Sequence, residues 1–308
     1  MTVEAFPLHQ GYLENFKQEM KITITLLLVF TNLLSAQIKG VVKDSITGKP
    51  IPYANIWVEN ENIGTTCESN GEFEIKVTKD KKLIVSSIGY NSRKCLLNSN
   101  NEILLKQKLI ELEKVTVFNY KNLETLKVGN SEFKRTTYLQ GKYPQVLAKK
   151  FDYDSIYKRT PYIKEIEVFT QSEVKNATIK LRILLYDKIT DLPIIDLVDE
   201  DIIVTVKKGR NKTIINVSKY KIKFPEAGIV IGLESMIIDT NKYNYSYKYN
   251  GIENVSIVYA PAIICNHVDL ENSFISFNSN WFKNKPEYNL WEKKYVVVEP
   301  AINMTLTN

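Results

Sequence analysis

The sequence predicts an all-β protein made of two β-sandwiches, a small one over residues 37–108 and a larger one over residues 123–308. Short runs in which apolar and polar residues alternate recur along the chain, separated by turn-forming glycine, proline and asparagine. The larger segment shows no helical periodicity. The 308 residues, 44% of them hydrophobic and 25% charged, suit a folded chain of one or two domains.

The first 36 residues predict export. An apolar run over residues 22–36 follows Met20-Lys21 and ends in Ser35-Ala36, which is the pattern of a secretory signal peptide. A membrane-spanning helix needs about 20 apolar residues, and this shorter run contains threonines and an asparagine. We therefore predict that Met20 is the true start, that residues 1–36 are a leader, and that no transmembrane span remains after cleavage.

The small module contains short strands separated by turns. Alternation predicts strands near residues 38–42, 53–58, 65–69, 72–77, 82–88 and 95–97. Residues 44–48 and the two prolines that follow them predict a turn region. Asn70-Gly71 predicts a tight hairpin between the third and fourth of these runs, because both positions of such a turn require a positive φ.

This module resembles the carboxypeptidase-regulatory-like domain. The matching positions are Gly40, Asp44, Thr47-Gly48, Pro50, Pro52, Ala54-Asn55, Gly64-Thr65, Gly71, Phe73 and Gly89-Tyr90, with Asn70 where the family often has aspartate. The resemblance implies a seven-stranded prealbumin-like sandwich of the kind found in exported and outer-membrane proteins of Bacteroidetes. It carries over no catalytic residue.

Residues 109–122 are predicted to be a connecting strand or linker, and the β pattern returns after them. Part of this segment resembles the stretch that precedes the plug of TonB-dependent receptors, but the chain is too short to hold a plug and a large transport barrel. Evenly spaced strands in the rest of the chain predict a jelly-roll-like sandwich. The predicted strands are residues 163–169, 177–186, 201–206, 213–217, 228–233, 255–258, 273–277, 295–298 and 302–306.

The residues that carry most enzyme chemistry are scarce. Removal of the leader leaves His267 as the sole histidine, so a zinc site with two or three imidazoles is excluded. His267 lies near Asp269 and Glu271, but no nucleophile motif accompanies it. We predict a non-catalytic protein without a cofactor or metal; a hydrolase whose paired carboxylates meet only in the fold is a weaker alternative.

Other clusters have ordinary structural explanations. The acidic group Asp196, Asp199, Glu200 and Asp201 lacks the spacing of a calcium loop, so we interpret it as surface charge. Three cysteines allow at most one internal disulfide, and Cys67–Cys95 is one possible pair. The formal net charge of +6 is spread along the chain, which argues against a nucleic-acid partner.

Four tyrosines are the candidate binding residues. Tyr243, Tyr245, Tyr247 and Tyr249 lie at period two, so on a strand they share one face. Such a row is typical of a surface for sugar rings or a protein partner, and Trp281 and Trp291 are candidates to extend it. The leading hypothesis is a structural or binding module of the periplasm or outer membrane that contacts an envelope protein or a surface polysaccharide. The alternative is a carbohydrate-binding protein that uses these tyrosines.

Overall fold

The structure, a computed structural model, describes residues 17–21, 37–77, 81–96, 101–108, 124–129, 131–133, 136–269, 271–289 and 292–308. The strands of these residues form four sheets, so the predicted all-β class is confirmed. Among the described helices, none is both long and apolar enough to cross a bilayer. The apolar run at 22–36 and the predicted linker at 109–122 lie outside the described residues.

The first seven strands form the predicted small sandwich. They are β1 (Gln37–Asp44), β2 (Asn55–Val58), β3 (Gly64–Thr66), β4 (Glu72–Lys76), β5 (Leu83–Ser86), β6 (Arg93–Cys95) and β7 (Glu102–Leu105). One sheet has the order β4-β1-β7 and the other β3-β2-β5-β6. Side chains at alternate positions meet between the two sheets, and Val42, Ile56, Phe73 and Leu83 are all buried there.

The Asn70-Gly71 turn does not close the predicted hairpin. Strand β3 pairs with β2 and strand β4 pairs with β1, so the turn carries the chain from one sheet to the other. Gly71 has φ +76°, and a Cβ at this position would lie 2.9 Å from the Val42 carbonyl oxygen. A turn lies at the predicted position, where the Gly71 N–H donates to the Glu68 carbonyl at 2.9 Å. However, only Gly71 has a positive φ, so both the predicted turn geometry and the predicted pairing were wrong.

A buried carboxylate ties together two parts of the small sandwich. Asp44 accepts hydrogen bonds from the Ile46 and Thr47 backbone N–H groups, both at 2.8 Å. It also accepts from the Tyr90 hydroxyl at 3.1 Å and from Gln107 Nε2 at 2.9 Å. These bonds, above all those from Thr47 and Ile46, lower the pKa of the Asp44 carboxyl to about 2.

The small sandwich is therefore expected to lose stability in acid through Asp44. The folded-state pKa lies below the ordinary value of 3.8, so the contribution is complete above about pH 4 and disappears as the pH falls towards about 2. We expect Asp44→Asn to be less stable than wild type at pH 7, with the gap in Tm narrowing from pH 4 to pH 2. A gap that stays constant over this range would contradict the assigned role of the carboxylate.

The second sandwich contains one seven-stranded and one nine-stranded sheet. The seven-stranded sheet is formed by β10 (Val146–Phe151), β12 (Ala177–Asp187), β13 (Leu192–Asp196), β14 (Ile202–Val206), β16 (Ile229–Glu234), β19 (Ser273–Phe277) and β20 (Asn280–Lys283). Its order is β13-β12-β16-β10-β19-β20, and β14 also pairs with β12.

The nine-stranded sheet covers the other side of the core. It is formed by β8 (Thr125–Val128), β9 (Thr137–Gln140), β11 (Tyr162–Ser172), β15 (Gly209–Asn216), β17 (Lys242–Tyr249), β18 (Ile252–Val268), β21 (Glu287–Asn289), β22 (Lys294–Pro300) and β23 (Ile302–Thr307). Its main order is β21-β22-β18-β11-β23-β8. Ile166, Leu181, Ile231 and Ile302 belong to the buried cluster between the two sheets, which confirms the predicted larger sandwich.

The small sandwich rests on the outer face of the seven-stranded sheet. Asn55 Nδ2 donates to Glu234 Oε1 at 2.6 Å, and Lys180 Nζ donates to the Tyr53 carbonyl at 3.0 Å. Lys180 Nζ is also 2.9 Å from Asp201 Oδ1. Burial opposes both charged forms, but the charge partners outweigh it, so the pKa of Lys180 is raised and that of Glu234 is lowered. Both groups are therefore charged at this junction.

Candidate binding surface

The four predicted tyrosines lie on a long β-hairpin. Strand β17 pairs with residues 252–259 of β18, and Asn250-Gly251 forms the turn with φ values of 50° and 79°. Positive φ at both positions is the geometry that makes Asn-Gly a strong hairpin turn. Most side chains of this segment are exposed on both faces, so the hairpin extends beyond the sandwich into solvent.

The tyrosines share one face, as the sequence predicted. Paired residues on antiparallel strands point to the same side, and Tyr243, Tyr245, Tyr247 and Tyr249 pair with Val258, Ser256, Asn254 and Ile252. We call these eight residues the tyrosine face. Three of its tyrosines are exposed, with relative accessibilities of 38% for Tyr245, 43% for Tyr247 and 66% for Tyr249.

The tyrosines differ in their packing. Tyr243 is half-buried against the main core, so it anchors the base of the hairpin and does not form part of an open surface. The rings of Tyr245 and Tyr247 are nearly parallel, with centroids 6.1 Å apart and 19° between their planes. Offset parallel rings at this distance are a favourable aromatic arrangement. The tip of the hairpin therefore presents an ordered pair of rings.

All charged side chains of the hairpin lie on its opposite face. Lys242, Lys248 and Glu253 alternate there with neutral residues, namely Asn244, Ser246, Val255, Ile257 and Tyr259. Lys242 is 3.9 Å from Asp239, and Lys248 is 3.8 Å from Glu253. The tyrosine face thus combines aromatic rings with neutral hydrogen-bonding groups and carries no charge.

His267 bridges three segments of the second sandwich. Its Nε2 is 3.1 Å from the Thr136 hydroxyl, and its Nδ1 is 2.5 Å from Glu292 Oε1 and 3.3 Å from Asn289 Nδ2. Asp269, expected beside it, pairs with Lys294 at 3.3 Å instead. The sequence did not predict this grouping, because Thr136 and Glu292 are both far from His267 along the chain.

A hydroxyl, an imidazole and a carboxylate in this order also occur in catalytic triads. However, the Thr136 carbonyl accepts from the Cys265 N–H at 3.0 Å, which ties Thr136 to the neighbouring strand β18. A nucleophile typically stands on a sharp turn that exposes its oxygen. We therefore interpret His267 as a structural bridge between strands.

The acidic cluster is divided between the network of Lys180, Arg182 and Glu234, which Asp196 and Asp201 join, and an exposed ion pair of Glu200. Asp196 binds Arg182, Glu200 lies 2.7 Å from Lys219, and Asp201 binds Lys180. No group of three or more potential metal ligands occurs among the described residues.

All three cysteines are free in the structure, with Cys67 and Cys265 buried. Burial raises the pKa of both buried thiols to about 12.

The two tryptophans do not extend the tyrosine face. Trp281 lines a cleft between the domains, and Trp291 lies outside the described residues.

Comparisons with known proteins identify the first sandwich. The model of the CarboxypepD_reg-like domain matches residues 38–117. The chain is 31% identical over 83 residues to the TonB-dependent receptor SusC of Bacteroides thetaiotaomicron, a match that covers 27% of this chain and 8% of the receptor.

A structural comparison adds no functional information. The chain aligns with the cysteine protease and lectin-like domains of Cwp84, a surface layer associated protein of Clostridium difficile, at 9% identity and a TM-score of 0.31. This alignment covers 90% of the chain and 59% of the other structure. On the family model and the receptor match, the N-terminal part of this chain is a carboxypeptidase-regulatory-like domain of the Bacteroidetes type.

Proposed function

We propose that this chain is a non-catalytic binding module of the bacterial cell envelope, exported to the periplasm or the outer membrane. The hairpin of residues 242–259 is its binding element. The observation that carries the proposal is the exposed tyrosine face at the tip of this hairpin. Exposed, contiguous apolar and aromatic surface is uncommon on soluble proteins and marks interaction sites. The SusC match is consistent with an envelope setting.

The packing at the base of the hairpin favours a binding role, because it holds the hairpin against the core. Strand β18 continues from the hairpin into the core, where Ile263 and Cys265 are fully buried. Tyr243 packs against the same core. The hairpin is therefore anchored at its base, and a ligand at its tip meets a surface that is already ordered, which reduces the entropic cost of binding.

A shortened hairpin tests the proposal. In this variant, residues 244–257 are replaced by Asn-Gly, so that the paired residues Tyr243 and Val258 flank the same turn that now joins Tyr249 and Ile252. We expect the shortened protein to keep its Tm within a few degrees and to lose at least tenfold in retention on isolated cell envelopes. Equal retention of the wild-type and shortened proteins would contradict the proposal.

A carbohydrate-binding protein is the second candidate function. It is favoured by the tyrosine face, on which Asn254 and Ser256 supply neutral hydrogen-bonding groups next to aromatic rings. Sugars present apolar C–H faces together with hydroxyl groups, so they match this combination. Retention on purified neutral polysaccharides, lost in the shortened variant, distinguishes this candidate from an envelope protein partner, which would be retained only by the protein fraction of the envelope.

A further inference from the structure

A second candidate site lies between the two domains, away from the hairpin. It is an open cleft of about 280 Å³, close to the lower end of the roughly 300–1,000 Å³ typical of small-molecule pockets. One wall comes from β2 and the end of β5 in the small sandwich. The other comes from β12, β13, β16 and the turn between β19 and β20. Domain interfaces are a preferred location for ligand sites.

The charges that line the cleft cancel. Arg182 donates to both oxygens of Asp196 at 2.6 Å and to Glu234 Oε2 at 2.7 Å. Lys180 Nζ lies 3.7 Å from Glu234 Oε1. Lys180 is also paired with Asp201 at 2.9 Å, so both cations are fully matched by carboxylates and the cleft offers no unpaired cation to an anionic ligand. The outer edge of this network is reachable, since the Arg182 and Asp196 side chains remain 19% and 21% accessible.

The network retains hydrogen-bonding capacity. A guanidinium has five N–H donors, and the three bonds to Asp196 and Glu234 leave two. The buried amide oxygen of Asn278, which also lines the cleft, accepts no hydrogen bond from any described residue. This oxygen has almost no accessible surface, so the hydrogen-bonding groups that a ligand can reach are those of Arg182 and Asp196, whose side chains remain partly accessible.

An aromatic wall completes the cleft. Trp281 and Phe277 line it and are only partly buried, and the Phe277 ring is stacked on Phe282. Aromatic faces pack against apolar C–H surfaces, whereas the fixed Arg182–Asp196 pair suits hydroxyl groups on the same ligand. A small polyol with one apolar face and no charge has both properties.

We propose that this interdomain cleft binds a short neutral saccharide. The ligand's C–H face lies on Trp281, and its hydroxyls bond to Asp196 and Arg182. The cleft does not include the hairpin, so this proposal can be tested independently of the proposed function.

The full chain, its shortened-hairpin variant and two cleft variants test this proposal by calorimetric titration. The probes are glucose, galactose, N-acetylglucosamine, maltose and cellobiose, with glucuronate and inorganic phosphate as anionic probes. Trp281→Ala removes the aromatic wall. Ser87→Trp fills the cleft from the small sandwich and leaves Trp281 in place, which covers the case in which Trp281→Ala fails to fold.

We expect at least one neutral sugar to bind saturably to the wild type and to the shortened-hairpin protein. Affinity should fall at least tenfold in each cleft variant that keeps the wild-type circular dichroism spectrum. The proposal is overturned if no neutral sugar binds the wild type, if only the anionic probes bind, if a folded Ser87→Trp protein binds as well as wild type, or if binding disappears with the hairpin.

Discussion

Replacing Lys180 with alanine is expected to lower the free energy of unfolding by about 3–5 kcal/mol, the usual cost of removing one partner from a buried ion pair. Lys180 is 1% exposed and sits between Asp201, Glu234 and the Tyr53 carbonyl. Without its ammonium group, Asp201 loses its cation in a buried setting. Burial already raises the pKa of Asp201, so its charged form becomes still more costly in the variant.

The effect should reach both domains, because Lys180 Nζ donates to the small sandwich while its strand belongs to the large one. Urea unfolding of Lys180→Ala and of the near-isosteric Lys180→Met separates the loss of charge from the loss of volume. Lys219→Ala is the matched control, since the Lys219–Glu200 pair at 2.7 Å is exposed and such pairs contribute about 0–1 kcal/mol. If Lys180→Ala costs no more than Lys219→Ala, the junction does not depend on this lysine.

Much of the fold could be predicted because its strands alternate clearly. All nine predicted strands of the second sandwich coincide with observed ones. Strand β10 was missed although it lies in the middle of its sheet, because it does not alternate: Leu147 and Ala148 are both buried, and so is Lys149. Lys149 is tolerated there because it pairs with Glu299 at 2.6 Å, a contact between residues far apart in sequence.

The candidate sites were predictable only in part. Period two placed the tyrosines on one face, but it did not distinguish the anchored Tyr243 from the exposed Tyr249, since burial depends on what packs below the strand. The ion-pair network of Lys180, Arg182, Asp196, Asp201 and Glu234 at the domain junction was not predicted from the sequence. A usable signal existed: Lys180 and Arg182 occupy alternate positions in the otherwise apolar strand β12, which indicates a polar partner across that face.

The second large effect is expected from the double variant Tyr245→Ala/Tyr247→Ala. It removes the nearly parallel ring pair and leaves the anchor Tyr243 in place. If each ring contributes about 0.5–1.5 kcal/mol to binding, the double variant should bind its envelope ligand about fivefold to 150-fold more weakly. Because both rings are exposed, the Tm should change little.

The opposite face of the hairpin supplies the control. Ser246 and Val255 pair with each other between the positions of Tyr245 and Tyr247, and their side chains point to the opposite face of the hairpin. Ser246→Ala/Val255→Ala therefore changes the same part of the hairpin without touching the tyrosine face. A twofold change or less in affinity is expected for this control.

Retention of the wild type and of these two double variants on isolated cell envelopes, measured side by side, shows whether the tyrosine face is the binding surface. We expect strong retention of the wild type and of the Ser246→Ala/Val255→Ala control, with loss confined to the Tyr245→Ala/Tyr247→Ala variant. Equal retention of all three proteins, or equal loss in both variants, would contradict the assignment of the tyrosine face as the binding surface.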